Sequence, residues 1–173
     1  MGNRMTHKFI PLKGQKAMGS KRKRLARGLL LVYFFSLLLL WFKASDIAGT
    51  RDIIAYSREG GFWNINLKPF YTIRSVALSD DSWMVWRNLV VNVAVFIPIG
   101  ILYPLALNRK YHFFIYFLHF LLFDFAIEGV QFAAMVGYFD VDDILLNSVG
   151  FSCGFAILMF CMWFRGCAGK WKR

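Results

Sequence analysis

The chain has 173 residues, of which 58% are hydrophobic and 18% charged, with a formal net charge of +11. That length allows one domain, and so apolar a composition excludes an ordinary soluble fold. The basic residues gather in acid-free segments without interleaved aromatics, which argues against a nucleic-acid surface and for a membrane protein.

Residues 1–24 carry Arg4, Lys8, Lys13, Lys16 and the run Lys21 to Arg24 without one acid. They are read as a disordered cytoplasmic arm, either lying on anionic headgroups or acting only as a solubilising tail. The first uncharged block covers residues 28–42 and is shorter than the roughly 20 apolar residues a span needs. A helix over about 25–43 reaches that length if Arg27 and Lys43 snorkel. Lys43 stands where a small-residue cleavage site should begin, so the block reads as an anchor and not as a removed signal peptide.

Residues 43–87 form the one long external loop. Gly60-Gly61 and Pro69 interrupt regular structure there, and Phe62, Trp63, Phe70 and Tyr71 suit a membrane interface. The second helix is expected over about 85–107, with Pro98 freeing the carbonyl of Ala94 and, with Gly100, bending the span. Arg109 and Lys110 occupy the turn after it. The third helix runs over about 111–136 if Asp124 and Glu128 are accepted inside it. The fourth runs over about 143–164 and carries Gly150 and Gly154 at the spacing that lets helices approach closely. Residues 166–173 close the chain as a second basic cytoplasmic tail. Cys153 and Cys161 lie in the fourth helix and Cys167 just beyond it, so no disulfide framework is expected.

With an inside amino terminus, four helices put every acid-free basic segment on one side. The expected architecture is therefore an all-α, four-helix, multi-pass bundle with both termini inside and residues 25–165 as its membrane domain. No internal repeat is evident.

Polar residues inside lipid are expensive, so their places are informative. Asp124, Glu128 and Gln131 stand at i, i+4 and i+7 and share one helical stripe. His119 points to the opposite side and His112 is too far along the chain, which argues against a zinc site of nitrogen and sulfur ligands. Depth adds Asn88 and Asn92 from the second helix, and Asp140, Asp142, Asp143 and Asn147 from the start of the fourth. Three helices thus offer carboxylates and amides to one zone of the outer leaflet. One reading is a set of interhelical hydrogen bonds worth well under ~2 kcal/mol each. The other is a pocket for a cation, an amine or a lipid headgroup, since Arg87 is the nearest base to so many acids.

These residues resemble a known family. Asn92, Phe96, Pro98 and Gly100 look like the asparagine, apolar, phenylalanine-x-proline-x-glycine signature of VanZ-like proteins. Glu128, Gln131 and Phe132 resemble their E-x-x-Q-F motif. Asp140, Asp143, Asn147, Gly150 and Gly154 are similar to their D-x-x-D-x-x-x-N-x-x-G ending, and Asn66, Leu67, Pro69 and Phe70 to their N-L-x-P-F motif. Phe42-Lys43 resembles the family's exit from its first helix. The motifs keep the family's order over about residues 28–160. Many members have an arginine before the D-x-x-D motif, where an ungapped reading puts Gly137 here.

The resemblance implies a role in low-level teicoplanin resistance and supplies no settled catalytic mechanism. Three functional readings follow. The first is a binding or resistance protein of a Gram-positive cytoplasmic membrane. Its partners would be membrane lipids and a lipoglycopeptide antibiotic or lipid-linked cell-wall precursor, without nucleic acid. The second is a membrane enzyme on a lipid-linked envelope precursor, with Glu128, Asp142 and Asp143 as metal ligands or general acid and base. The third is a small transporter relaying protons through Asp124 and Glu128, although the spans below Asp124 are nearly all apolar. The candidate ligand-binding set is Asn88, Asn92, Asp124, Glu128, Gln131, Asp140, Asp143 and Asn147, and no cofactor is assigned.

Overall fold

The computed structural model describes residues 20–44, 46–78, 82–107 and 112–170. The arm over residues 1–19, the Arg109-Lys110 turn and residues 171–173 lie outside the described residues. Four long helices carry the fold: α1 (Ser20–Ala44), α4 (Ser82–Leu107), α5 (Phe113–Ala134) and α6 (Val141–Lys170). Three stretches are long and apolar enough to cross a membrane by length and composition, namely Leu89–Leu107, Phe113–Ala134 and Val141–Phe164. Side chains of α1 are described only as far as Leu39.

The stretch expected as one long loop is largely structured. It holds α2 (Ile47–Glu59), the two-residue strand β1 (Ile65–Asn66) and α3 (Tyr71–Ala77). Asp46 starts α2 by accepting a hydrogen bond from the Gly49 N–H at 3.0 Å, which satisfies one of the free donors of the first turn. Gly61 lets the chain leave α2 with φ +83°, a conformation that side chains resist. Strand β1 pairs in parallel with β2 (Phe139–Asp140), Ile65 opposite Phe139 and Asn66 opposite Asp140. This short ladder ties the segment between α2 and α3 to the chain entering α6.

Residue pairings give the relative directions of the long helices. On α1, Arg27 donates to the carbonyl of Ala106 at 3.0 Å and Tyr33 to that of Val95 at 2.8 Å, so α1 and α4 are antiparallel. Arg27 thereby sits at the carboxyl end of α4, where a cation suits the helix dipole. Between α5 and α6, Phe113 meets Phe155, Phe120 meets Phe151 and Asp124 meets Asn147, again antiparallel.

The most extensive packing joins α4 and α6, which are parallel. Gly150 faces the carbonyl of Val93, Gly154 that of Ile97, and Gly100 that of Phe151. A Cβ at any of the three would overlap a backbone oxygen, so only glycine allows this approach. Pro98 and Pro104 lie within α4. Beside the seam sits an aromatic core of Tyr116, Phe120, Phe151 and Phe155, with Phe120 stacked on Phe151 at 4.5 Å between ring centres. Burial is otherwise inverted relative to a soluble bundle. Leu118, Leu122, Val130, Val149 and Phe160 are exposed, while Asp124, Glu128 and Asn147 are buried. That inversion is what a lipid surround requires.

The seam makes a testable prediction. Gly154→Ala should cost about 1–3 kcal/mol through overlap with the α4 backbone, whereas Cys153→Ala on the exposed face should stay within about 0.5 kcal/mol. Thermal unfolding of the purified protein in detergent measures both; equal melting of the two variants would remove the glycine constraint.

Candidate functional site

The polar residues collect where α6 begins, and they divide into two layers. The first is structural. Asp142, with 0% of its surface exposed, stands in the first turn of α6. Its carboxylate accepts from the N–H groups of Phe70 at 2.5 Å and Ile73 at 3.0 Å. Phe70 is the N-cap of α3 and offers no side-chain cap of its own. An acid from α6 therefore caps α3 across space, satisfying donors that a local Ser or Asp would usually take. Phe70 holds a left-handed backbone, φ 63°, at that junction.

Asp140 extends the same layer. It accepts from Asn66 Nδ2 at 3.1 Å, from the Thr72 hydroxyl at 2.5 Å and from the Asp142 N–H at 2.8 Å. Arg58, from α2, closes the other side. Its guanidinium donates to Asn64 Oδ1 and to the carbonyl of Phe132 at the end of α5, and lies over the rings of Trp63 and Phe132. The Asn64 amide donates to the carbonyl of Gly137 at 2.7 Å. Where many VanZ-like proteins carry an arginine before the aspartates, this chain has Gly137, and the nearby guanidinium comes from Arg58.

The second layer lies deeper, between the long helices. Asn92 Nδ2 on α4 donates to Asp143 Oδ1 on α6 at 2.7 Å. Asn147 Nδ2 donates to Asp124 Oδ1 on α5 at 3.0 Å. Glu128 accepts from the backbone N–H of Asp140, and Asp143 is near enough to act electrostatically on both Asp124 and Glu128. Asp124 is 1% exposed, Asn147 5% and Glu128 6%. Asp124 Oδ2, Glu128 Oε2 and Asn147 Oδ1 have no hydrogen-bond partner, nor does the hydroxyl of Ser148. A buried acceptor left unpaired costs about 1–3 kcal/mol, and more when charged. No Lys or Arg among the described residues compensates these acids.

The structure thus brings Asn92, Asp124, Glu128, Asp143 and Asn147 together. Asp140 is turned toward the α3 segment. Gln131 is half-buried against Gly137, and among the described residues its amide bonds none of the acids. Asn88 lies in α4, but its side chain and that of Arg87 lie outside the described residues. Pro98, Gly100, Gly150 and Gly154 belong to the helix seam. His119 contacts the Tyr103 hydroxyl through Nδ1 at 3.3 Å, away from the acids. No three His, Cys, Asp or Glu side chains among the described residues are placed to hold a metal ion. Sequence reasoning missed Arg58, Asn64 and Thr72. The motif carrying Asn66 and Phe70 was the one available sign that this segment docks on the aspartates.

Long apolar helices, polar residues turned inward and a docked cap define a helical membrane protein. The family model for VanZ/LLP1 matches residues 28–164, and the chain belongs to that family. No curated protein and no solved structure shows significant similarity to it.

The cap is testable apart from any activity. Asp142→Asn replaces an acceptor oxygen with a donor facing two N–H groups, a change expected to destabilise the docked segment by about 1–3 kcal/mol. Hydrogen exchange should then quicken across residues 64–78 while α5 and the middle of α6 stay protected. Unchanged exchange at Phe70 and Ile73 would rule out the trans cap.

Proposed function

We propose that the chain crosses the bacterial cytoplasmic membrane four times, with both termini inside, and that its polar site faces the outer leaflet. There it acts on a lipid-anchored envelope amphiphile and lowers susceptibility to teicoplanin. Antiparallel packing of α1 on α4 supports the fourth span, because Arg27 is held beside the carboxyl end of α4. The basic segments then share one face, as cytoplasmic segments do. The observation that carries the functional reading is the buried, uncompensated pair Asp124 and Glu128, whose free oxygens a packing role leaves unexplained. A lipid-tailed glycopeptide anchors at that depth, whereas an untailed one remains in the wall.

A second reading, a membrane enzyme, is favoured by Asp143. It is only half-buried and sits beside Glu128, and two carboxylates in unlike environments suit acid and base roles. Asp142, occupied in capping α3, is the weaker catalytic candidate of the three acids.

Two outcomes follow. Cysteines placed at Ser57 should react with an impermeant reagent on intact cells, and those at Ser20 or Gly169 should not; labelling at Ser20 overturns the topology. Expression in a susceptible Gram-positive host should raise the inhibitory concentration of teicoplanin more than that of vancomycin. Glu128→Gln and Asp143→Asn should abolish that rise at equal membrane levels by blot. Equal susceptibility of the wild-type and empty-vector strains removes the resistance role.

A further inference from the structure

We propose that Asp124, Glu128 and Asn147 bind a monovalent hard cation of the size of sodium. The proposal rests on the reading of this zone as a ligand site: the cation takes the buried Asp124 and Glu128, and the amphiphile meets the half-buried Asp143 beside them.

The argument starts from which atoms are spent. The nitrogen donors of this zone are already committed: Asn147 Nδ2 to Asp124 Oδ1, Asn92 Nδ2 to Asp143, and the Asp140 N–H to Glu128. The atoms left over are all oxygens, Asp124 Oδ2, Glu128 Oε2, Asn147 Oδ1 and the hydroxyl of the next residue, Ser148. Asp124 and Glu128 are one turn apart on α5, and Asn147 is tied to Asp124 from α6. An ionised carboxylate without a partner in a low-dielectric interior is strongly unfavourable, so such a set takes up either a proton or a cation.

The donor atoms select the charge. Oxygen-only ligands suit a hard cation and disfavour transition metals that prefer nitrogen or sulfur. Calcium takes six to eight oxygen ligands, and magnesium keeps several of its waters, for which so buried a place has no room. Here two carboxylates, one amide oxygen and the neighbouring hydroxyl are on offer, and Asp143 is drawn away by Asn92. An ammonium headgroup is too bulky, since Asp124 and Glu128 are 1% and 6% exposed beneath the docked cap. A single small ion bound between α5 and α6 would give these oxygens the partner they lack. Bound there, the ion would pin α5 to α6 above the aromatic stack and hold the site in one arrangement.

Thermal unfolding of the full chain in detergent tests this, with choline chloride replaced stepwise by NaCl at fixed pH and ionic strength. Sodium should raise Tm saturably, by roughly 3–6 °C at about tenfold excess over its Kd, and KCl should raise it less. Asp124→Asn and Glu128→Gln should lose the rise. Sodium-23 line broadening by the wild-type protein provides a second measurement that needs no variant to fold. Equal Tm in NaCl, KCl and choline chloride, or a Tm that follows pH alone, overturns the cation. Sodium dependence without any change in teicoplanin susceptibility would sink only the resistance role. Loss of resistance in Glu128→Gln without sodium dependence would sink only the cation.

Discussion

Gly100, Gly150 and Gly154 put the backbones of α4 and α6 in direct contact, so that carbonyls of Val93 and Ile97 stand where side chains would otherwise be. In lipid there is little hydrophobic drive to join helices, and close van der Waals approach takes its place. The spacing set at this seam is inherited by everything near the amino end of α6. It brings Asn92 within 2.7 Å of Asp143, and the parallel course of α4 and α6 keeps both at the same level. With α5 packed antiparallel on α6 through Phe120 and Phe151, Asp124 and Glu128 arrive at that level too. A wider seam would separate the amide from the acid and leave more buried oxygens without partners.

The five acids of this end do different physical work. Asp140 and Asp142 receive hydrogen bonds from the 66–73 segment and serve as anchors for it. Their charge is dispersed over N–H and O–H donors, which is how a buried carboxylate becomes tolerable. Asp143 has one amide partner. Asp124 and Glu128 each keep an oxygen with none. The gradient runs from the cap toward the bundle interior, from satisfied to unsatisfied, and it separates groups that hold the fold from groups whose oxygens lack a partner.

Motifs far apart in the chain meet at this boundary. Asn66 and Phe70 are joined to Asp140 and Asp142 by side-chain and backbone hydrogen bonds. The junction caps α3, whose N-cap residue Phe70 has no side-chain acceptor of its own. Arg58 completes the enclosure by bridging α2 to the end of α5 over two aromatic rings. A guanidinium suits that place because it can donate in plane while its face stacks on rings.

The sequence by itself determined that the chain is a helical membrane protein of the VanZ/LLP1 family, where its apolar stretches lie, and that Asp124 and Glu128 share a helical stripe. Those properties are local: length, hydrophobicity and a period of 3.6 residues are written along the chain. That residues 46–78 fold into α2, β1 and α3 is settled in three dimensions, because the cap of α3 and the partner of β1 come from elsewhere in the chain. Ile54 of α2 is fully buried, and α3 is capped by an acid about 70 residues downstream. The division of labour among the acids was equally hidden. Aspartates at positions 140, 142, 143 and 124 look alike in sequence, and which of them finds a donor depends on the helix that reaches it in space.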